Sequence, residues 1–168
     1  MRSTFRKPAA IAAVLVFAAA LSACAPQSPV ARGQYLVSLA GCSDCHTPGG
    51  FSPHPDMSRY LAGSDVEFSL PGLGVFTPPN LTPDAKTGLG SWTVDQIATA
   101  FTTGVTPSGR ILAPAMPWSD YAHLTRADAL AIAAYLKSLP AVSNPIPGPA
   151  APRPEPPGTV QAIVKRTP

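Results

Sequence analysis

Cys42-Ser43-Asp44-Cys45-His46 decides how the rest of the chain reads. Two cysteines three positions apart share one side of a helical turn, and a histidine follows directly on that turn. This C-x-x-C-H form is the one used to attach a c-type haem. Two thiols add to the two vinyl groups at one porphyrin edge, and the adjacent imidazole approaches the iron from one side. Cys42 and Cys45 are therefore the expected covalent attachment points of one haem c, and His46 its first axial ligand. A disulfide or thiol redox pair competes for the same spacing, but such a pair should follow a strand in a βαβ context, and none is visible. A structural zinc site wants four Cys or His ligands, and Cys42, Cys45, His46, His54 and His123 are wrongly spaced for one.

Working outward, three helices are expected, separated by loops rich in Gly and Pro, and no strand pattern competes with them. The first covers about residues 31–40, with Tyr35, Leu36 and Leu39 on one face, and runs into Gly41-Cys42. The second opens on Thr93 and Gln96 as a capping box, carries Val94, Ile97, Ala98 and Phe101 at helical spacing, and stops at Gly104. The third starts at Thr125 with Asp128 three residues on, turns Ala129, Ile132, Ala133 and Leu136 to one side, and ends before Pro140. Residues 47–91 form a long irregular stretch, the kind of loop that has a function or wraps something. No internal repeat suggests a second haem site.

The two ends do not look like core. Arg2, Arg6 and Lys7 precede an apolar run over residues 9–21, followed by Leu21-Ser22-Ala23-Cys24, which resembles the lipobox of bacterial lipoproteins. The apolar run is short for a membrane span, so residues 1–23 are expected to be a removed signal peptide and Cys24 the lipidated first residue of the mature chain. Ala25 after it favours the outer membrane, and residues 24–30 would be a tether. Removing residues 1–23 lowers Lys+Arg from 12 to 9 against 9 Asp+Glu. The near-neutral remainder has no basic stripe for nucleic acid. At the other end, residues 143–168 are rich in proline, in Pro145-Ile146-Pro147-Gly148-Pro149 and again around Pro152 to Pro157. They are expected to be an extended, disordered tail.

The sixth iron position decides between electron transfer and ligand chemistry. Met57, Met116, His54 and His123 are the candidates, and Met116, set between Pro114 and Pro117, has 70 residues of chain after His46 in which to reach the other porphyrin face. Core packing is the ordinary alternative for a methionine. Trp92, Tyr121 and Arg110 could pack on the haem or bond a propionate, and the Asn80-Leu81-Thr82-Pro83-Asp84 loop could hold the haem edge.

Four stretches carry a family resemblance: Gly33-Gln34-Tyr35-Leu36-Val37 leading into the haem motif; residues 79–84 with Thr87-Gly88-Leu89-Gly90-Ser91-Trp92; Pro114-Ala115-Met116-Pro117-Trp118; and Ala134-Tyr135-Leu136-Lys137-Ser138-Leu139-Pro140. Together they resemble the cytochrome c subunits of periplasmic alcohol, sorbitol and gluconate dehydrogenases. The resemblance implies Met116 as the distal ligand and an all-α cytochrome c domain over residues 31–142, its first and last helices crossing above one covalently bound haem. Relatives with several C-x-x-C-H motifs differ from this chain, which has one, and Trp118 stands where that family commonly has Tyr. The implied function is electron transfer rather than catalysis, by an exported, periplasmic, lipid-anchored carrier shuttling between a dehydrogenase or quinol-oxidising complex and a terminal acceptor such as an oxidase. Two rivals stay open: a five-coordinate haem protein that binds gas or turns over peroxide, and a fixed cytochrome subunit of a larger dehydrogenase.

Overall fold

The computed structural model describes residues 27–155, 157–159 and 161–166. The expected signal peptide and the expected lipid attachment point, Cys24, lie outside the described residues. Helix α1, Pro29–Leu39, begins where Ser28 caps the Ala31 amide and Pro29 supplies a preset φ in the first turn. Gly41, at φ 64, then turns the chain directly into the short helix α2, Cys42–His46. A side chain at that φ would be strained, so the glycine allows two helices to meet with almost no loop. Helix α3, Val94–Thr103, has both capping-box bonds, Gln96 N to Thr93 Oγ1 at 3.1 Å and Thr93 N to Gln96 Oε1 at 2.9 Å. A four-residue helix α4, Trp118–Tyr121, precedes α5, Arg126–Ser138, which Thr125 caps through the Asp128 amide.

The core lies where α1, α3 and α5 meet. Leu36 and Val37 face Ala129, Ile132, Ala133 and Leu136, and Ile97, Ala98 and Phe101 close the third side. The α1–α5 crossing is backbone to backbone at one point. A Cβ on Gly33 would lie 1.9 Å from the Ala131 carbonyl oxygen, so only glycine permits this approach. One ion pair adjoins the crossing, Arg32 Nε being 2.8 Å from Asp128 Oδ1, and another, Arg126 with Asp95, joins α5 to α3. Elsewhere Arg59 pairs with Asp56 and Arg153 with Glu67.

The expectation of an all-α fold is overturned. Residues 47–91 contain the hairpin β1, Val66–Leu70, and β2, Gly74–Phe76, and β3, Ala162–Lys165, joins β1 on its other side. The antiparallel sheet has the order β2-β1-β3, with Phe68 opposite Phe76 and Ile163. The physical reason is local for two strands and not for the third. Val66-Glu67-Phe68-Ser69-Leu70 alternates apolar and polar residues and is followed by the Pro71-Gly72 reversal, a hairpin signal. By contrast β3 comes from the Pro-rich tail and is stabilised by pairing with a strand almost a hundred positions earlier. The tail meets the domain earlier as well, since Ala150 and Val75 exchange backbone bonds of 2.9 and 3.0 Å.

Candidate functional site

Cys42 and Cys45 open and nearly close the single turn of α2, and neither is in a disulfide. Burial pushes the Cys42 thiol up to about 11, with the nearby Cys45 and Asp44 acting in the same direction. Cys45 is raised too, by burial and then by Asp44. Both groups are thus thiols at neutral pH. Reactive redox cysteines have the opposite character, that of stabilised thiolates. No group of three or more His, Cys, Asp or Glu positioned for a metal ion occurs among the described residues.

His46 ends the same turn and is 6% exposed. Its Nδ1 lies 2.7 Å from the Pro79 carbonyl oxygen. A carbonyl only accepts, so Nδ1 carries the proton and donates it, leaving the Nε2 lone pair uncommitted. Burial lowers the pKa of this imidazole against the opposing effect of Pro79, which keeps the ring in its neutral, metal-binding form. Two further bonds fix the backbone here. Gly63 N donates to His46 O at 2.8 Å, and Leu61 N donates to Thr47 Oγ1 at 3.0 Å. Leu61 itself sits at φ 57, a conformation that costs an L-residue about 1–2 kcal/mol. The fully buried side chain and the bond from Leu81 N to Leu61 O at 2.8 Å hold it there.

The Pro79 loop is anchored by Asn80, which is 1% exposed and has both ends of its amide engaged. Asn80 Oδ1 accepts from Thr82 N at 2.9 Å and Thr82 Oγ1 at 2.8 Å. Asn80 Nδ2 donates to Thr87 Oγ1 at 3.0 Å and to Val142 O at 2.7 Å. The sequence drew attention to residues 79–84 without assigning their atoms, and the role of Pro79 went unread because its contribution is a main-chain oxygen.

The four sixth-ligand candidates separate by burial. Met57 is 61% exposed, and His54 and His123 are also exposed. Met116 is half-buried and packs against the core together with Cys42, Tyr60, Leu81, Trp92 and Tyr121. Its segment is fastened at both ends. Met116 N donates to Ala113 O at 2.9 Å, Leu112 N donates to Gly104 O at 2.8 Å, and the Trp118 indole covers Gly104 so closely that a Cβ there would be 2.6 Å from the ring. Tyr121 reaches Ala40 O with its hydroxyl at 3.4 Å, and burial beside Cys42 and Cys45 raises its phenol to about 12. Tyr60, next to Tyr135 and Cys42, is raised to about 12 mainly by burial. Arg110 is exposed.

These residues fit a haem. The two thiols share one turn, the imidazole offers a free nitrogen and is held from behind, and aromatic and aliphatic side chains of α4 and the loops adjoin them. A helical domain so equipped belongs to the class of c-type haem proteins. The Cytochrome c family model matches residues 30–140, and the chain belongs to that family. It is 38% identical over 113 residues to the fructose dehydrogenase cytochrome subunit of Gluconobacter japonicus, covering 66% of this chain and 22% of that protein. Identity is 34% over 127 residues to the gluconate 2-dehydrogenase cytochrome c subunit of Pantoea cypripedii, with coverage of 76% and 27%. A diheme cytochrome c-type protein of Cereibacter sphaeroides is 31% identical over 109 residues, with coverage of 65% and 36%. The chain thus spans between a fifth and two fifths of the length of these relatives. Residues 30–140 are thus a cytochrome c domain, a module for electron transfer.

Proposed function

We propose that the protein is a single-haem electron carrier in which Cys42 and Cys45 hold the haem, and His46 Nε2 and the Met116 sulfur are its axial ligands. The bond from His46 Nδ1 to Pro79 O at 2.7 Å carries this reading, because it commits one ring nitrogen and frees the other. The haem, when bound, supplies a one-electron couple. What the chain supplies is a rigid setting. The Pro79 carbonyl orients the imidazole and raises its basicity, as outer partners of ligating histidines do. Gly104 and Trp118 brace the Met116 segment. Leu61, Tyr60 and Leu81 exclude water from the interior beside α2. Two protein ligands leave no position for substrate, which favours electron transfer over gas binding or peroxide turnover.

The names of the relatives support a dehydrogenase as the electron donor. We place the carrier between such an enzyme, or a quinol-oxidising complex, and a terminal acceptor, exported to the periplasm and held to a membrane by lipid on Cys24. Visible spectra of the haem-loaded protein and of Met116→Leu, reduced and oxidised, with carbon monoxide added to the reduced samples, test the ligand set. The parent should ignore carbon monoxide, and the variant should bind it and lose the oxidised-state methionine–iron band. A parent that takes up carbon monoxide readily would overturn electron transfer in favour of a five-coordinate protein. Cys24→Ser should move the protein from the membrane to the soluble fraction, and retention in the membrane would refute the anchor.

A further inference from the structure

The chain after α5 makes a set of contacts that converge on His46. Val142 O accepts from Asn80 Nδ2 at 2.7 Å, and Val142 N donates to Thr82 Oγ1 at 3.1 Å. Asn144 N donates to Thr87 Oγ1 at 3.0 Å, and Asn144 Nδ2 donates to Ala62 O at 2.8 Å. Ile146 lies so close to Gly63 that a Cβ on that glycine would be 2.7 Å from its Cγ1 and Cδ1. These partners are not scattered. Asn80 follows Pro79, whose carbonyl receives the His46 Nδ1 proton, and Ala62 precedes Gly63, whose amide holds the His46 carbonyl.

A closed circuit results. It runs from the His46 ring to Pro79 and Asn80, across to Val142 and Asn144, over to Ala62 and Gly63, and back to the His46 main chain. Leu81 N to Leu61 O at 2.8 Å and Ser64 N to Pro78 O at 3.1 Å tie the two sides along their inner edge, and the stretch over residues 142–144 joins them a second time from outside, through side chains. Composition suits it to that task. Pro140 and Pro145 fix their own φ and restrict the residues before them, so the extended form loses little entropy on docking. The amides of Val142 and Asn144 both find acceptors on the loop.

We propose that residues 142–146 are a strap that positions His46, with Asn144 a positioning residue acting through Ala62 and Gly63 and Val142 one acting through Asn80. The proposal rests on the reading of His46 as the iron ligand. A taut circuit keeps the Nδ1–H bond to Pro79 short and the imidazole strongly donating, which stabilises the oxidised iron. A slack one weakens both.

The test uses the full-length, haem-loaded protein and the variants Asn144→Ala and Arg153→Ala. Arg153 pairs with Glu67 farther along the same tail and outside the circuit. Exchange of the His46 Nδ1 proton is followed by NMR on nitrogen-labelled histidine, and the midpoint potential and thermal melt are recorded beside it. Asn144→Ala should exchange that proton about five- to tenfold faster, the factor expected when one hydrogen bond's worth of restraint is lost, and should raise the potential. Arg153→Ala should leave both at the parent values. If Asn144→Ala lowers the melting temperature while exchange and potential stay unchanged, the strap is structural only and the proposal is overturned. Should Asn144→Ala not accumulate as folded protein, Ile146→Val trims the Gly63 contact by one methyl group and must shift both readouts in the same direction; unchanged values there overturn it equally. A parent that retains no covalent haem would refute the functional reading itself, and a haem-bearing parent with inert variants refutes the strap alone.

Discussion

Replacing Gly33 with alanine puts a methyl carbon 1.9 Å from Ala131 O, 2.5 Å from Ala131 C and 2.8 Å from Tyr135 Cβ. Carbon and carbonyl oxygen approach no closer than about 3.3 Å, so α1 and α5 must separate by about 1.4 Å at the crossing. Neither offending group of Ala131 can rotate aside, because both are helix backbone. The separation loosens the contacts of Leu36, Val37, Ile132 and Leu136, which form the main apolar seam. Overpacking of this kind costs about 1–3 kcal/mol and more when backbone must move, while alanine's better helix propensity returns about 1 kcal/mol. With the collision at the extreme end, the net loss should be about 2–3 kcal/mol, or roughly 8–15 °C in melting temperature for a domain of this size. Thermal melts followed by far-UV circular dichroism on the haem-loaded protein measure it. Gly148→Ala, where a Cβ meets nothing within 4 Å, serves as the control and should melt like the parent. A Gly33→Ala protein as stable as the parent, or more so, would show that the helices do not cross at this distance.

Gly104→Ala should disturb the other side of the site: φ 75 is strained for alanine, and the new methyl displaces the Trp118 ring that braces the Met116 segment. Stability should fall by about 2 kcal/mol and the reduced protein should begin to bind carbon monoxide; a variant with the parent's spectrum and no carbon monoxide uptake would contradict the bracing role. Asn80→Ala removes four hydrogen bonds at a 1% exposed position and strands the Thr82 amide, while the Thr82 hydroxyl keeps its bonds to Val142, at a cost of about 3 kcal/mol in urea unfolding; a loss below about 1 kcal/mol would mean the loop rearranges freely. Acid should destabilise the fold. Asp56, Asp84 and Asp128 are held below the usual carboxylate range, chiefly by side-chain hydrogen bonds from Ser58, Thr87 and Arg32 respectively. Depressed folded values favour the native state above the unfolded value of about 3.9 and lose that contribution as pH falls through them, so melting temperature should drop between about pH 4 and pH 3, and a flat profile there would refute it.

The helices were legible because their signals are local. Thr93 and Gln96 carry a capping box that forms with both bonds, Gly104 stops α3 in the left-handed conformation, and Thr125 caps α5 where expected. The C-x-x-C-H motif was equally plain, since Cys42, Cys45 and His46 lie within five consecutive residues, and the single turn of α2 sets them on one short helix. The hairpin was readable but was absorbed into the long loop over residues 47–91: Val66-Glu67-Phe68-Ser69-Leu70 does alternate apolar and polar residues, but over only five positions within a stretch punctuated by Gly and Pro. Strand β3 could not be read at all. Gln161-Ala162-Ile163-Val164-Lys165 is short and follows prolines, and only its pairing with β1 makes it a strand. The remaining gaps concern main-chain atoms. The Pro79, Ala62 and Val142 carbonyls shape the surroundings of His46, and no side-chain pattern announces a carbonyl's role.

Part of the domain's charge is paired at short range, at or near the surface, while Lys86, Arg110 and Lys165 face solvent. Arg32, Arg59, Arg126 and Arg153 each face an acid, and Lys137 caps the carbonyls of Leu89 and Gly90 at 3.3 and 2.8 Å. Residues 24–168 carry 9 Lys+Arg against 9 Asp+Glu, and beyond a Debye length of about 10 Å at 0.1 M salt such a balanced surface presents little net field to guide an approaching protein. Encounters with a redox partner then begin by unsteered diffusion, in the range of about 10⁵–10⁶ M⁻¹s⁻¹, and raising the ionic strength should scarcely slow them in stopped-flow measurements. A steep fall with salt would contradict this. Selection among partners is left to short-range fit at the surface of contact, after collision rather than before it.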